Sequence, residues 1–258
     1  MNKFWIYKSL IEIKKIYAII RKDKYDKIAA ELSNVLLNEW DKVTKEAIND
    51  VIRAIKGAEE FTSAALDEML AALKPILGVT FTNNVAAPVL DLSKESYTGG
   101  LVDVEATAVF NLVDQNAVSV LHEHNIYWVR DHFDTKISGK VTELGTKIIS
   151  EGLSREKAGK LFANEFAEKY QQYSWRYWEG FSNHVTTRSR ELGHVEGYVR
   201  AGIEKIQVKA VLDQRTTPIC QHMHNRVIEV KKAVELRDQL LEAEDPEDVK
   251  KIAPWLRP

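Results

Sequence analysis

One thiol and two imidazoles stand at alternate positions, Cys220, His222 and His224, inside the stretch DQRTTPICQHMHNRVI at residues 213–228. Thiolate sulfur and imidazole nitrogen are both good zinc ligands, and in an extended chain alternate side chains point to one side. A closed zinc site takes four ligands, however, and no second Cys or His pair follows at finger-like spacing. His184 and His194 fall on a predicted helix, and His122 and His124 lie farther away in sequence. A second chemistry is nucleophilic, with Cys220 attacking and a neighbouring histidine as base, which also requires an oxyanion site. Pro218 puts this cysteine on a turn rather than at a helix N-terminus, and nothing else matches a cysteine-enzyme signature. The third reading is a polar connection between two strands. Asp213, Thr216 and Thr217 can accept backbone N–H groups as side-chain turns do. Pro218 fixes one torsion, Asn225 tolerates a left-handed backbone, and Arg215 can reach Asp213 or a helix carboxylate. This last reading accounts for the most residues with the fewest assumptions. It predicts no catalytic group, no cofactor and no metal, and leaves Cys220, His222 and His224 as the residues a metal would use.

Two further stretches carry interaction chemistry. In YQQYSWRYWEGF, residues 170–181, aromatic rings beside Arg176 could stack on nucleic-acid bases. At helical spacing, though, Tyr170, Tyr173, Tyr177 and Phe181 form one stripe with Trp178 beside it, which favours a core or a subunit interface. The N-terminal stretch is basic. Lys3, Lys8, Lys14, Lys15, Arg21, Lys22, Lys24 and Lys27 stand against Glu12, Asp23 and Asp26, a net of five positive charges. A solvated helix face is the default. The alternative is an arm that contacts DNA phosphates or an acidic protein surface, with Lys8, Lys14, Lys15, Arg21, Lys22 and Lys24 as the candidate contacts. No Walker motif, Gly-rich dinucleotide fingerprint or HExxH occurs.

The elements that hold these residues read as mainly helical. Apolar residues at Tyr25, Ile28, Ala29, Leu32, Leu36, Trp40, Val43, Ala47, Val51 and Ile55 step by three and four along one long helix, with Gly57 as its stop. A shorter helix is expected at 64–73, ending at KPILG. Residues 79–100 hold Asn-Asn, Pro and Gly-Gly without a sustained period and read as an irregular connector. Helix resumes near Asp103 and runs to about Ser150, with breaks near His132 and Gly139. Ser154 is a natural N-cap, Glu156 suits the first turn, and Ala158, Leu161, Phe162 and Phe166 make an inner face. Another helix covers about 175–202. The period then falls to two at Ile206, Val208 and Ala210, and RVIEV, from Arg226, offers a partner strand. A last helix at 231–243 leads into an acidic, Pro-punctuated end. The expected architecture is α+β: an N-terminal helical region at 1–78, a connector at 79–102, and a helical domain at 103–258 with a β-hairpin at about 205–230.

The chain has 258 residues, formal net charge −2 and one cysteine. A near-neutral balance makes no global case for nucleic-acid binding, and one cysteine excludes an internal disulfide. Lys8, Glu12, Lys14 and Lys15 interrupt the apolar N-terminus, so no membrane span and no secretory signal is predicted. A soluble chain is expected.

Residues 183–230, NHVTTRSRELGHVEGYVRAGIEKIQVKAVLDQRTTPICQHMHNRVIEV, resemble the C-terminal region of the phage head morphogenesis family, the Mu F-like minor head proteins of tailed bacteriophages. That region has a helix ending in Ala-Gly, a strand, a D-x-R-T-x-P-x-C segment and a return strand. The matching residues are Ala201, Gly202, Asp213, Arg215, Thr216, Pro218, Cys220, Val227 and Ile228, flanked here by Thr217, Asn225 and Arg226. GLSREKAGKLFANEF, residues 152–166, is similar to the helix that commonly precedes the motif. The resemblance spans about residues 125–230. It departs from the family at Thr217, where a second cysteine is common, and at Asn225, where glycine is common. The His-Pro-x-Cys-Arg-Cys segment of many members does not appear. What the resemblance implies is an assembly role without catalysis, in the virion at the head interior or portal vertex and in the host cytoplasm during assembly. The implied partners are portal, capsid or scaffold protein and, for some members, DNA. It also leaves open an alternative, a toxin or effector built on the same module or a metal-dependent enzyme using Cys220, His222 and His224.

Overall fold

The stripe that begins at Tyr25 folds as α1, Lys24–Gly57. Every apolar position named for it is buried, joined by Leu37, Thr44 and Ile48. Lys56 in its last turn opposes the negative end of the helix dipole. The computed structural model describes residues 24–57, 62–105, 107–132, 137–165, 171–210, 212, 216–243 and 245–252, without the side chains of 155, 171–174 and 250. The arm residues Lys8, Lys14, Lys15, Arg21 and Lys22, the motif residues Asp213 and Arg215, and Phe166 and Tyr170 lie outside the described residues, as does the side chain of Tyr173.

After α1 comes α2, Ser63–Leu73, capped by the Thr62 hydroxyl, which accepts from the Ala65 N–H at 3.3 Å. The chain does not stop at KPILG. It widens into a π-helical stretch, Lys74–Thr80, and runs on as α3, Phe81–Val104. The irregular connector expected at 79–102 is therefore helix. Under the turn-forming residues lies a helical stripe: Phe81, Val85, Val89, Leu92, Tyr97 and Leu101 are all buried. Burying each such side chain stabilises by about 1.5–3 kcal/mol, enough to offset the backbone hydrogen bond that Pro88 removes inside the helix. Gly100 is there for close approach. A Cβ at that position would sit 2.1 Å from the Arg190 carbonyl oxygen.

The next helix, α4, is Leu112–Asp131, so helix resumes later than Asp103. Then come α5, Ser138–Ser150, and α6, Arg155–Asn164, where the Ser154 hydroxyl accepts from Lys157 N–H at 3.4 Å and Glu156 lies in the first turn. Ala158 and Phe162 are buried there, and Leu161 is half-buried. The long α7, Gln171–Arg200, leads to β1, Lys205–Gln207, a short α8, Pro218–Met223, and β2, Val227–Glu229. The chain continues through α9, Val230–Glu242, and α10, Pro246–Ile252, which share a small core of Leu240 and Val249. The fold is mostly helical with a two-strand antiparallel hairpin near the C-terminus.

Contacts divide the chain into two interleaved units, in place of the end-to-end division expected at 78 and 102. One comprises Met1–Leu92 and His122–Val185, the other Ser93–Leu121 and Thr186–Arg257. In the first unit the aromatic stripe of α7 is core. Trp178 and Phe181 are fully buried. The Trp178 ring lies 5.7 Å from Trp40 and 5.0 Å from Phe81, and Tyr177 stacks on His132 at 3.8 Å. In the second unit α7 packs closely on α3. A Cβ on Gly193 would meet the Tyr97 carbonyl oxygen at 2.1 Å, and one on Gly197 would meet the Val104 Cβ at 2.7 Å. Among the described residues no helix is long and apolar enough to cross a membrane.

Candidate functional site

The hairpin begins where α7 ends, and its start is defined by a glycine. Gly202 has φ +66°. Its N–H donates to the Val199 carbonyl at 3.1 Å, and the Ile203 N–H donates to the Tyr198 carbonyl at 2.9 Å. This pair of bonds is the glycine-terminated helix end that satisfies the last carbonyls, and it gives the Ala201–Gly202 dipeptide its role. β1 and β2 then pair with Lys205 opposite Glu229, Ile206 opposite Ile228 and Gln207 opposite Val227. The predicted alternation holds, with Ile206, Val208 and Ala210 half-buried and Gln207 and Lys209 exposed.

The connection contains a helix where a turn was expected. Thr217 is its N-cap, its hydroxyl accepting from the Cys220 N–H at 3.2 Å, and Pro218 fills a first-turn position where no N–H is needed. Cys220 and His222 therefore lie on α8, about 200° apart around the helix, and do not share the single side that an extended chain would give them. Cys220 is a free, exposed thiol, His222 is exposed and His224 is half-buried. Among the described residues no group of three or more His, Cys, Asp or Glu side chains is placed to hold a metal ion.

The two imidazoles take part in bracing instead. His224 Nδ1 accepts from the Ala210 N–H at 3.2 Å, which ties the connection to the strand that enters it. His222 Nδ1 lies 3.4 Å from an Arg226 guanidinium nitrogen, and arginine can only donate. Asn225 takes the left-handed conformation expected of it, φ 65°. Its N–H donates to the Val208 carbonyl at 2.8 Å, and Lys209 Nζ donates to its Oδ1 at 2.8 Å. The connection also displays apolar surface: Ile219 is 67% and Val227 63% exposed.

A second cluster, which the sequence did not reveal, holds the helices around the hairpin's base. The Asp114 carboxylate is completely buried. It accepts from the Tyr97 hydroxyl at 3.1 Å, from Arg200 Nη2 at 2.8 Å to each oxygen, and from the Asn111 N–H at 2.7 Å. Glu196 bridges Arg200 at 2.9 Å and Arg237 at 2.6 Å. Residues of α3, α4, α7 and α9 are joined in one ionic chain. Burial, then the charge of Asp114, pushes the Tyr97 phenol above its ordinary range. The local signals were the Glu196–Arg200 spacing, which reads as an exposed helix pair, and Asn111 three residues before Asp114, which reads as a helix cap.

Of the arm's candidate contacts Lys24 is described. It is exposed, with its ammonium 4.9 Å from the Tyr25 ring centroid. Comparison with protein-family models, curated proteins and solved structures finds no match to this chain.

Proposed function

We propose that this chain is a structural minor head protein of a tailed bacteriophage or prophage, acting in head assembly and in DNA packaging or ejection. The observation that carries the reading is the agreement between motif and backbone. Ala201–Gly202 end a helix, Pro218 opens another, and Val227 and Ile228 lie in the pairing strand, while Thr217 and Asn225, the two positions that depart from the family, cap that helix and make the left-handed return. These five matching residues thus have conformational roles, and Ile219 and Val227 are left facing outward as contact surface. On this reading the chain is not an enzyme and uses no cofactor. It works at the head interior or portal vertex through portal, capsid or scaffold protein, with DNA as a further contact of the basic arm.

The reading is tested by co-expressing the chain with the portal and capsid proteins of its own phage and purifying each in turn. The chain is expected to co-purify with portal or capsid, and Cys220→Ala to leave that association unchanged. Failure to associate with either, in whole heads as in isolated components, would count against it. Metal analysis of the purified protein addresses the toxin, effector or metal-enzyme alternative. Stoichiometric zinc, lost in both Cys220→Ala and His224→Ala, would favour that alternative.

A further inference from the structure

The π-helical stretch of the first unit opens a cleft of about 110 Å³, lined by Lys74, Gly78, Val79, Asn83 and Arg130. A π-helix has a wider turn than an α-helix. Lys74 and Gly78, four residues apart, therefore share a face, with Asn83 one turn on. Gly78 contributes no side chain to the lining. Two carbonyls of this stretch accept from side-chain hydroxyls. The Thr80 hydroxyl donates to Pro75 O at 3.1 Å and the Thr82 hydroxyl to Gly78 O at 2.5 Å.

Among the described residues the charges at the rim have no counter-ion. Lys74 and Arg130 are exposed, and among the described residues neither side chain has an ion-pair or hydrogen-bond partner, nor does Asn83. Other cations in the same unit do have partners, such as Lys140 with Glu143 and Arg53 with Asp50. Among the described residues no carboxylate lines the cleft. Its volume is ample for a small oxyanion.

We propose that Lys74, Arg130 and Asn83 form a binding site for a phosphate group. The arginine fork matches two phosphate oxygens, the ammonium supplies a second point charge, and the amide donates a neutral hydrogen bond. Two positive charges match a phosphate better than a carboxylate, which carries only one negative charge. The inference rests on residues of the first unit and is independent of the head-protein reading. The phosphate belongs to a free phosphate or nucleotide, or to a nucleic-acid backbone.

The test is calorimetric titration of the full chain at constant ionic strength with inorganic phosphate, adenosine monophosphate and acetate, together with anisotropy of a short labelled DNA duplex. Saturable binding of a phosphate-bearing probe is expected, weakened about tenfold or more in Lys74→Ala and in Arg130→Ala, and less in Arg130→Lys. Both positions are exposed, so circular dichroism should match the parent chain. Binding of phosphate or the nucleotide identifies a free phosphate as the source, and binding of the duplex alone identifies the backbone. Three results would overturn the proposal: no saturable binding by any phosphate-bearing probe, binding unchanged in both alanine variants, or acetate bound as tightly as phosphate.

Discussion

Asp114 has no exposed side-chain surface and three partners, Tyr97, Arg200 and the backbone of Asn111. Removing one member of a buried ion pair leaves the other charge uncompensated. Asp114→Ala is therefore expected to destabilise by about 3–5 kcal/mol in urea unfolding. Tyr97→Phe, which removes one hydrogen bond to a charged group, should cost about 1.5–3 kcal/mol. Because the folded-state pKa of Tyr97 is raised above its ordinary 10.0, its contribution is complete below that pH and declines as pH rises above it. Unfolding measured at neutral and at alkaline pH should show a shallower alkaline decline in Tyr97→Phe than in the parent chain. Cys220→Ala, at an exposed position, should change stability by no more than about 0.5 kcal/mol. Asn225 and Thr217 were legible in the sequence because their chemistry is local, a left-handed residue and a helix cap. Asp114 was not, because Arg200 is 86 residues away and no spacing rule connects them.

At the scale of elements, α1 and α3 show opposite outcomes of the same rule. In α1 the apolar steps stand on a polar background, and the period is plain. In α3 the same steps run through Asn83, Asn84, Pro88 and the Gly99–Gly100 pair, whose local preferences are for turns. Tertiary burial overrides those preferences, and two of the apparent turn signals have other uses. Asn84 donates to Glu39 Oε1 at 2.6 Å, and Gly100 lets another backbone approach. The glycines of α7 separate the two roles a helical glycine can have. A Cβ on Gly180 would meet nothing within 4 Å, so Gly180→Ala should stabilise by about 0.5–1 kcal/mol through helix propensity. Gly193→Ala, forced against the Tyr97 carbonyl, should destabilise by about 1–3 kcal/mol. Thermal unfolding of the two variants beside the parent chain checks both signs. The short α8 was hidden for a different reason. Six residues are too few to show a period, so Thr217–Pro218 read as a turn when they are the cap and first position of a helix.

For the whole molecule, helical class and C-terminal hairpin followed from periodicity, since an amphipathic stripe and a two-residue alternation are visible without knowing any contact. The division into two units did not. α3, α4 and α7 each contribute residues to both, and sequence composition marks no boundary inside a continuous helix. The proposed role depends on the surface of the second unit, where the braced hairpin displays Ile219 and Val227. Charging that surface should impair association while leaving the fold intact. Ile219→Asp with Val227→Asp is expected to weaken co-purification with portal or capsid at least tenfold, with an unchanged circular dichroism spectrum. Since the central claim is that this chain builds phage heads, the most direct measurement is infectivity and DNA content of particles produced with its gene deleted. Particles short of DNA or unable to infect, restored by the parent chain and by Cys220→Ala, are the predicted result. Particles with normal DNA content and full infectivity would contradict the account.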